Sequence, residues 1–156
     1  MSESSQKPVT SNQRGRILAI SVSDKKGVRK TNVNSAVLEE DFGIVGDAHA
    51  GTKNRQVSLL AQESIAKMKA KGLKVKAGDF ADNITTEGLD LLSLKIGDRL
   101  KINDEVVLEL SQIGKVCHTR CSIYYQAGDC VMPKEGIFAK VIKGGQIKVG
   151  DDIYSL

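Results

Sequence analysis

Short β-type runs separated by glycine-containing turns form the pattern that most restricts how this chain can fold. Runs rich in Ile, Leu and Val recur along the sequence, and Gly, Asp or Asn follow most of them. They lie at 15–23, 35–40, 55–60, 99–103, 106–111, 136–142, 147–149 and 153–154. One segment, Ser64–Lys71, has apolar residues at helical spacing, with Ala61 as its earliest start. One helix among about eight short strands predicts a mainly β fold, a closed or partly open β-barrel.

Two turns share one sequence pattern. Lys95–Asp98 and Lys148–Asp151 both read Lys, an apolar residue, Gly and Asp at the edge of a strand. Glycine adopts positive φ without strain, and we expect each Asp carboxylate to accept hydrogen bonds from the turn amides. After the helix, Gly72 is a typical stop, and Met68 is predicted to be a core residue.

The 156 residues are enough for one domain with its own hydrophobic core. Residues 1–14 are polar and lack an apolar run, so we expect a disordered lead-in that is neither a signal peptide nor an anchor. Residues 15–156 are expected to form the single domain. No run reaches the roughly 18–20 apolar residues of a membrane span. We therefore expect a cytoplasmic protein without membrane contact.

The chain is mildly basic, with a formal net charge of +4 at pH 7. Its lysines are scattered, apart from groups at 25–26 and along 67–76. Surfaces that bind nucleic acid combine basic stripes with stacking aromatic residues, whereas this chain has no Trp, three Tyr and three Phe. We therefore expect no nucleic-acid partner, while attraction of small anionic ligands stays open.

The chain's three cysteines form its densest chemical cluster. They lie with a histidine and two further cations in the order Lys115, Cys117, His118, Arg120, Cys121 and Cys130. In a reducing compartment such a cluster favours thiols or a metal site over disulfides. The neighbouring cations favour the thiolate form of Cys117, which is a nucleophile and a soft-metal ligand. A tetrahedral metal site and plain apolar packing of the cysteines are the alternatives that the residues leave open.

Two glycine-flanked stretches offer further polar groups. Asp47 and His49 lie in the first, where His49 is suited to donate a hydrogen bond or to ligate a metal. The second, 76–88, reads as a loop in which Asn83 and Thr85 supply neutral hydrogen-bonding groups. Each stretch is either an ordinary connection or a wall of a ligand site. No P-loop, dinucleotide-binding or zinc-protease motif is present, so those activities lose support.

Taken in order, these segments resemble the MOSC domain, which is found at the C-terminus of molybdenum-cofactor sulfurases and in stand-alone bacterial proteins. The resemblance runs from about Gly15 to the last residue. It rests on Phe42–Gly51, Arg55–Ser58, Gly78–Asp90, Leu94–Leu100, Leu108–Gln112 and Cys117. It implies a barrel similar to the pyruvate kinase β-barrel domain.

The resemblance also implies involvement with the molybdenum cofactor, as a carrier of activated sulfur or as a molybdopterin-binding redox unit. It puts the family's central cysteine at Cys117, as sulfur carrier, catalytic residue or molybdenum ligand. Its partners would be molybdenum-cofactor biosynthesis proteins or molybdoenzymes, and a family-level association with pyridoxal phosphate comes with it. The cofactor-binding residues expected are Asp47, His49, Arg55, Asn83, Thr85, Lys115, His118 and Arg120.

The chain departs from the family pattern around its cysteines. Many members approach the central cysteine through Pro-Arg-x-Pro-Cys, whereas this chain has Ile113-Gly-Lys-Val-Cys117, and Cys121 and Cys130 are extra. No sulfurase domain is recognised. These departures favour a stand-alone carrier or cofactor-binding accessory, and whether the chain is itself an enzyme of sulfur transfer or molybdenum redox chemistry stays open. The alternatives are a zinc-binding or thiol-redox interaction module and a small molybdenum-dependent reductase component.

Overall fold

The strands and the helix follow the runs predicted from the sequence, with three further short strands among them. The computed structural model describes residues 14–25, 29–72, 74–80, 82–113 and 136–156. Helix α1 spans Gln62–Lys69 and a 3-10 turn spans Leu91–Ser93; in those ranges no helix is long and apolar enough to cross a membrane. The strands are β1 (Arg14–Val22), β2 (Thr31–Val33), β3 (Ser35–Glu39), β4 (Gly43–Ile44), β5 (Val57–Ala61), β6 (Ile84–Glu87), β7 (Arg99–Ile102), β8 (Val106–Ile113), β9 (Ile137–Lys143), β10 (Gly145–Lys148) and β11 (Asp152–Ser155).

The three added strands are β2, β4 and β6, which are too short for an alternating pattern to be recognised. The last of them lies inside the stretch 76–88 that the sequence predicts as a loop, so this prediction is wrong for Ile84–Glu87. Apart from Ile84, the residues of β6 are two threonines and a glutamate. This segment is a strand because it pairs with both β1 and β5.

Seven strands close into a barrel. Their order is β1, β6, β5, β9, β8, β7 and β11, and β11 pairs back with β1. Strand β2 extends the sheet beside β1, while β10, β3 and β4 form a separate three-stranded sheet. Only β5 and β6 run parallel among the barrel neighbours described, and α1 supplies the crossover that parallel neighbours require. The predicted mainly β barrel with one helix is confirmed.

Alternation along β5 separates two apolar cores. Val57 and Leu59 belong to the large cluster that fills the barrel. Leu60, the next residue along β5, points to the opposite face. It belongs to a second cluster outside the barrel, where it packs with Ile65 and Met68 of α1. Met68 is 1% exposed, so its predicted core position is confirmed. The helix begins two residues earlier than Ser64, and Gly72 follows it with φ of +91°.

The Gly-Asp turns adopt one geometry. In Lys95–Asp98 the Lys95 N–H donates to Asp98 Oδ2 over 2.8 Å, and in Lys148–Asp151 the equivalent bond is also 2.8 Å. Both glycines have φ of +97°. A third copy, Lys76–Asp79, has the same bond at 3.0 Å. The predicted carboxylate-to-amide bonding is therefore confirmed at the two predicted turns, and the third copy was missed.

Candidate functional site

A buried ion pair anchors the loop that follows β4. Asp47 follows Gly46, whose φ is +89°, so this is a fourth Gly-Asp turn. Its carboxylate does not accept from its own turn, however. It accepts from Lys30 Nζ over 2.8 Å, and the two side chains are 0% and 1% exposed. Lys30 comes from the segment before β2, so the pair joins two separate loops.

Two backbone groups complete the environment of the Asp47 carboxylate. Ser23 N–H donates to Oδ1 and His49 N–H donates to Oδ2, each over 3.0 Å. Burial raises the pKa of Asp47, but the Lys30 bond, the two backbone bonds and the Lys30 charge outweigh it and hold the pKa below its usual value. The carboxylate is therefore ionised at neutral pH and fixes the backbone of His49.

The His49 imidazole lies between this ion pair and an aromatic ring. Its Nδ1 is 3.7 Å from Asp47 Oδ2, and its ring meets Phe138 edge-on with centroids 6.4 Å apart. His49 is 8% exposed. The structure therefore confines His49 to one orientation at the rim of the barrel.

Arg55 approaches the same aromatic ring. Its Cζ lies 5.5 Å from the Phe138 ring centroid, a cation–π distance. Its Nε donates to Gln112 Oε1 over 3.2 Å. Phe138 is paired with Gln112 on β8 and with Ser58 on β5. Among the predicted site residues, the structure thus brings His49 and Arg55 together on Phe138, with Asp47 beside His49.

This group of residues lies where two strands begin and end. Ile113, the last residue of β8, pairs with Ile137, the first residue of β9. The predicted site residues of the intervening segment lie outside the described residues; they are Lys115, Cys117, His118 and Arg120, and the other two cysteines, Cys121 and Cys130, lie there too. The chain leaves and re-enters the barrel beside Phe138 at this point.

Asn83 does not join that group. Its side chain is 0% exposed and holds neighbouring strands together. The Asn83 Oδ1 accepts from Ser58 N over 2.9 Å and from Ser58 Oγ over 3.1 Å, while Nδ2 donates to the Ser21 carbonyl over 3.0 Å. The visible role of Asn83 is to tie β1 to β5, and a contact with ligand stays a prediction.

Thr85 is equally buried and bonds to a carboxylate that the sequence analysis missed. Thr85 Oγ1 donates to Asp82 Oδ2 over 2.6 Å. Asp82 is 0% exposed and also accepts from Gly78 N and Phe80 N over 2.9 and 3.3 Å. Burial raises the pKa of Asp82 despite these bonds. Asp82 has no ion-pair partner in the part of the chain that the structure describes.

Lys30 and Phe138 were also missed. In the sequence Lys30 is one of many lysines, and Phe138 is one apolar residue of a strand. At Asp47 the available signal was the Gly-Asp pair, which marks a turn but does not identify the partner of the carboxylate. The side chain that donates to this carboxylate is Lys30, which lies 17 positions away in the sequence.

These residues suit binding of an anionic ligand better than coordination of a metal. Arg55 offers a guanidinium and His49 an imidazole at the rim of the barrel. No group of three or more His, Cys, Asp or Glu capable of holding a metal ion occurs in the described ranges. All three thiols of the chain lie outside the described ranges.

Comparison with known proteins supports the fold and a family. The sequence model described as the MOSC domain matches residues 46–154. No curated protein matches the chain. Similar solved structures include the YuaD protein from Bacillus subtilis, with 18% identity over 93% of this chain and 98% of that chain, and a TM-score of 0.78.

Two structures of YiiM are also similar. That from Escherichia coli has 18% identity and a TM-score of 0.63, over 90% of this chain and 69% of that one. That from Geobacillus stearothermophilus has 18% identity and a TM-score of 0.68, over 91% and 75%. At this level of identity the structural matches support the barrel fold alone.

Proposed function

This chain belongs to the MOSC domain family, commonly linked to molybdenum-cofactor function, and on that premise we propose that it binds this cofactor or carries sulfur for it. One observation supports the proposal most: His49 and Arg55 meet on Phe138, beside the paired ends of β8 and β9. Cys117 follows Ile113 closely in the sequence. We assign the reactive thiol to Cys117.

The described residues would bind and orient the ligand. Arg55 would contact an anionic group such as a phosphate, because a guanidinium donates paired hydrogen bonds to it. Its Nε bond to Gln112 sets the plane of the guanidinium. His49 would donate a hydrogen bond to the ligand, and Asp47 holds the backbone of His49 in place. Asn83 and Thr85 would act indirectly, Asn83 by tying β1 to β5 and Thr85 by its hydrogen bond to Asp82.

The thiol chemistry would be carried by Cys117. When bound, the molybdenum cofactor supplies redox chemistry at its metal, for which a thiolate is a soft ligand. As a sulfur carrier, the Cys117 thiolate would attack the outer sulfur of a donor persulfide; a Cys117 persulfide forms and the donor leaves as a thiolate, without net oxidation. Lys115, His118 and Arg120 would favour the Cys117 thiolate and attract anionic groups.

The test compares Cys117→Ser with Cys121→Ser. Each protein is incubated with the molybdenum cofactor or with a persulfide donor, and bound molybdenum, pterin and cyanide-labile sulfur are measured after desalting. We expect Cys117→Ser to lose the labile sulfur or most of the bound molybdenum, while Cys121→Ser retains both. If Cys117→Ser leaves all three quantities unchanged, Cys117 does not have this role.

A second pair of variants tests the barrel rim. Arg55→Gln should lower pterin retention, whereas Arg99→Gln, which loses only an exposed ion pair with Glu109, should not. Equal retention in both variants would remove Arg55 from the site.

The same preparations decide between the alternative functions. Stoichiometric zinc that is lost in Cys121→Ser or Cys130→Ser would favour a zinc-binding or thiol-redox module over the proposal. A reductase component would need electron-transfer proteins as partners, and a carrier would need molybdenum-cofactor biosynthesis proteins or molybdoenzymes. Binding of pyridoxal phosphate stays a prediction of the family resemblance.

A further inference from the structure

A basic cleft lies on the side of the molecule where α1 ends. It is an open cleft of about 520 Å³ between the helix, the residue before Lys30 and the third Gly-Asp turn. Its lining residues are Arg29, Lys69, Lys74, Val75, Lys76 and Asp79. Val75 is 6% exposed and forms an apolar floor.

The cleft carries four cations and one carboxylate, so it has an excess of positive charge. Its four basic side chains belong to exposed residues, and none of them forms an ion pair with a residue in the described ranges. Lys76 Nζ donates to the neutral Asn32 Oδ1 over 3.2 Å. The one acid, Asp79, already accepts from the Lys76 N–H over 3.0 Å. Arg14, Arg16 and Arg99, by contrast, are each paired with an acid.

The exposure of these cations indicates what kind of anion they suit. Sites for small ligands are enclosed and place a few buried polar groups around the ligand. Here the charged groups are long, exposed and spread over three chain segments, and the only enclosed lining group is the apolar Val75. Among the lining residues there is no aromatic side chain on which a nucleic-acid base would stack. An acidic protein surface suits such a cleft, because exposed charges steer association and set orientation.

We propose that the cleft formed by Arg29, Lys69, Lys74 and Lys76 docks an acidic segment of a partner protein. The carboxylates of that segment lie along the four cations. None of the lining residues of this cleft belongs to the group around Phe138. The docking proposal therefore does not depend on the proposed function.

The test uses the whole chain and a fluorescent octaglutamate peptide as probe. Arg29→Glu/Lys74→Glu reverses two charges in the cleft, and neither side chain forms an ion pair with a described residue. The matched control is Lys95→Glu/Lys148→Glu, which changes the net charge equally at two exposed turns outside the cleft. Thermal unfolding verifies that all three proteins are folded. Binding is measured by fluorescence anisotropy from about 20 mM to about 300 mM salt.

We expect the cleft variant to bind the octaglutamate about tenfold more weakly than the wild type at low salt, and the control to change less than threefold, about the effect of net charge alone. Affinity of the wild type should fall steeply with salt. Equal losses in cleft and control variants would overturn the proposal. Cleft-dependent binding of inorganic pyrophosphate, or of a thymidine dodecamer, more tightly than octaglutamate would overturn the choice of an acidic protein partner.

Discussion

Lys30→Met removes the ammonium group that lies 2.8 Å from the Asp47 carboxylate. The two side chains are at most 1% exposed, so water cannot reach the remaining charge unless the loops separate. Breaking a buried ion pair by removing one partner costs about 3–5 kcal/mol. We expect about 3 kcal/mol, the lower end, because the N–H groups of Ser23 and His49 still donate to the carboxylate.

The loss is measured by urea unfolding and by thermal unfolding. For a domain of this size each kcal/mol lowers the midpoint by about 2–4 °C, so we expect a decrease of about 6–12 °C. Lys76→Met is the matched control, since Lys76 Nζ contacts the neutral Asn32 at an exposed site. Its free energy of unfolding should change by less than about 0.5 kcal/mol.

The pH dependence separates a charge effect from a packing effect. In the wild type the pKa of Asp47 is lowered, so the stability from this group is present above the unfolded pKa near 4 and is lost as pH falls through the folded pKa. In Lys30→Met, burial still raises the pKa of Asp47 but the Lys30 charge no longer lowers it. The Asp47 carboxylate of the folded variant therefore takes up a proton at a higher pH than in the wild type. The difference between wild type and variant should therefore be largest at neutral pH and shrink toward pH 4.

A double variant gives the decisive comparison. Lys30→Met/Asp47→Asn replaces the buried charge by a neutral amide that still accepts a hydrogen bond, so it should be more stable than Lys30→Met alone at pH 7. A difference between wild type and Lys30→Met that stays constant from pH 8 to pH 4, or a double variant less stable than the single one, would refute the electrostatic reasoning.

Two further predictions concern Asp82 and the glycine turns. Burial raises the pKa of Asp82 in the folded state above its unfolded pKa near 4. Between these two pKa values the folded state holds a proton that the unfolded chain has lost. The free energy of unfolding therefore falls as pH rises through this window. Asp82→Asn should lack this fall when the free energy of unfolding is measured in urea between pH 4 and pH 8. If wild type and variant show the same dependence on pH, the raised pKa of Asp82 is contradicted. Gly97→Ala should lose about 1–2 kcal/mol through backbone strain alone, because its added Cβ meets nothing within 4 Å. Gly78→Ala should lose clearly more, because its Cβ would lie 2.7 Å from the Lys30 carbonyl oxygen; equal losses would show that packing against Lys30 has no effect.

The barrel was largely predictable because its determinants are local. A short apolar run identifies β5, alternating apolar residues identify β8, and an apolar face identifies α1. The turns Lys95–Asp98 and Lys148–Asp151 were predictable for the same reason, since each carboxylate bonds within its own turn. Strands β2 and β4 were not predicted, because they have only three and two residues. Strand β6 was not predicted, because it depends on pairing with the distant strands β1 and β5.

The candidate site was predictable only in part. Asp47, His49 and Arg55 were expected at one site; His49 and Arg55 meet on Phe138, and Asp47 lies beside His49. Asn83 and Thr85 were expected beside them as walls of a pocket, but their side chains are turned into hydrogen bonds between strands and with Asp82. Residue type indicates that a side chain is polar, whereas its partner depends on which strands pack together.

The Gly-Asp turns show which features depend on the sequence alone and which depend on the tertiary structure. The four Gly-Asp turns within the described residues all have a glycine with positive φ, which the sequence by itself determines because glycine alone adopts this conformation without strain. In three of them the carboxylate bonds its own turn. At Asp47 it bonds Lys30, Ser23 and His49 instead. Only the tertiary structure decides this, because a buried carboxylate is stabilised by the cation that the fold brings to it, and that cation comes from a different loop.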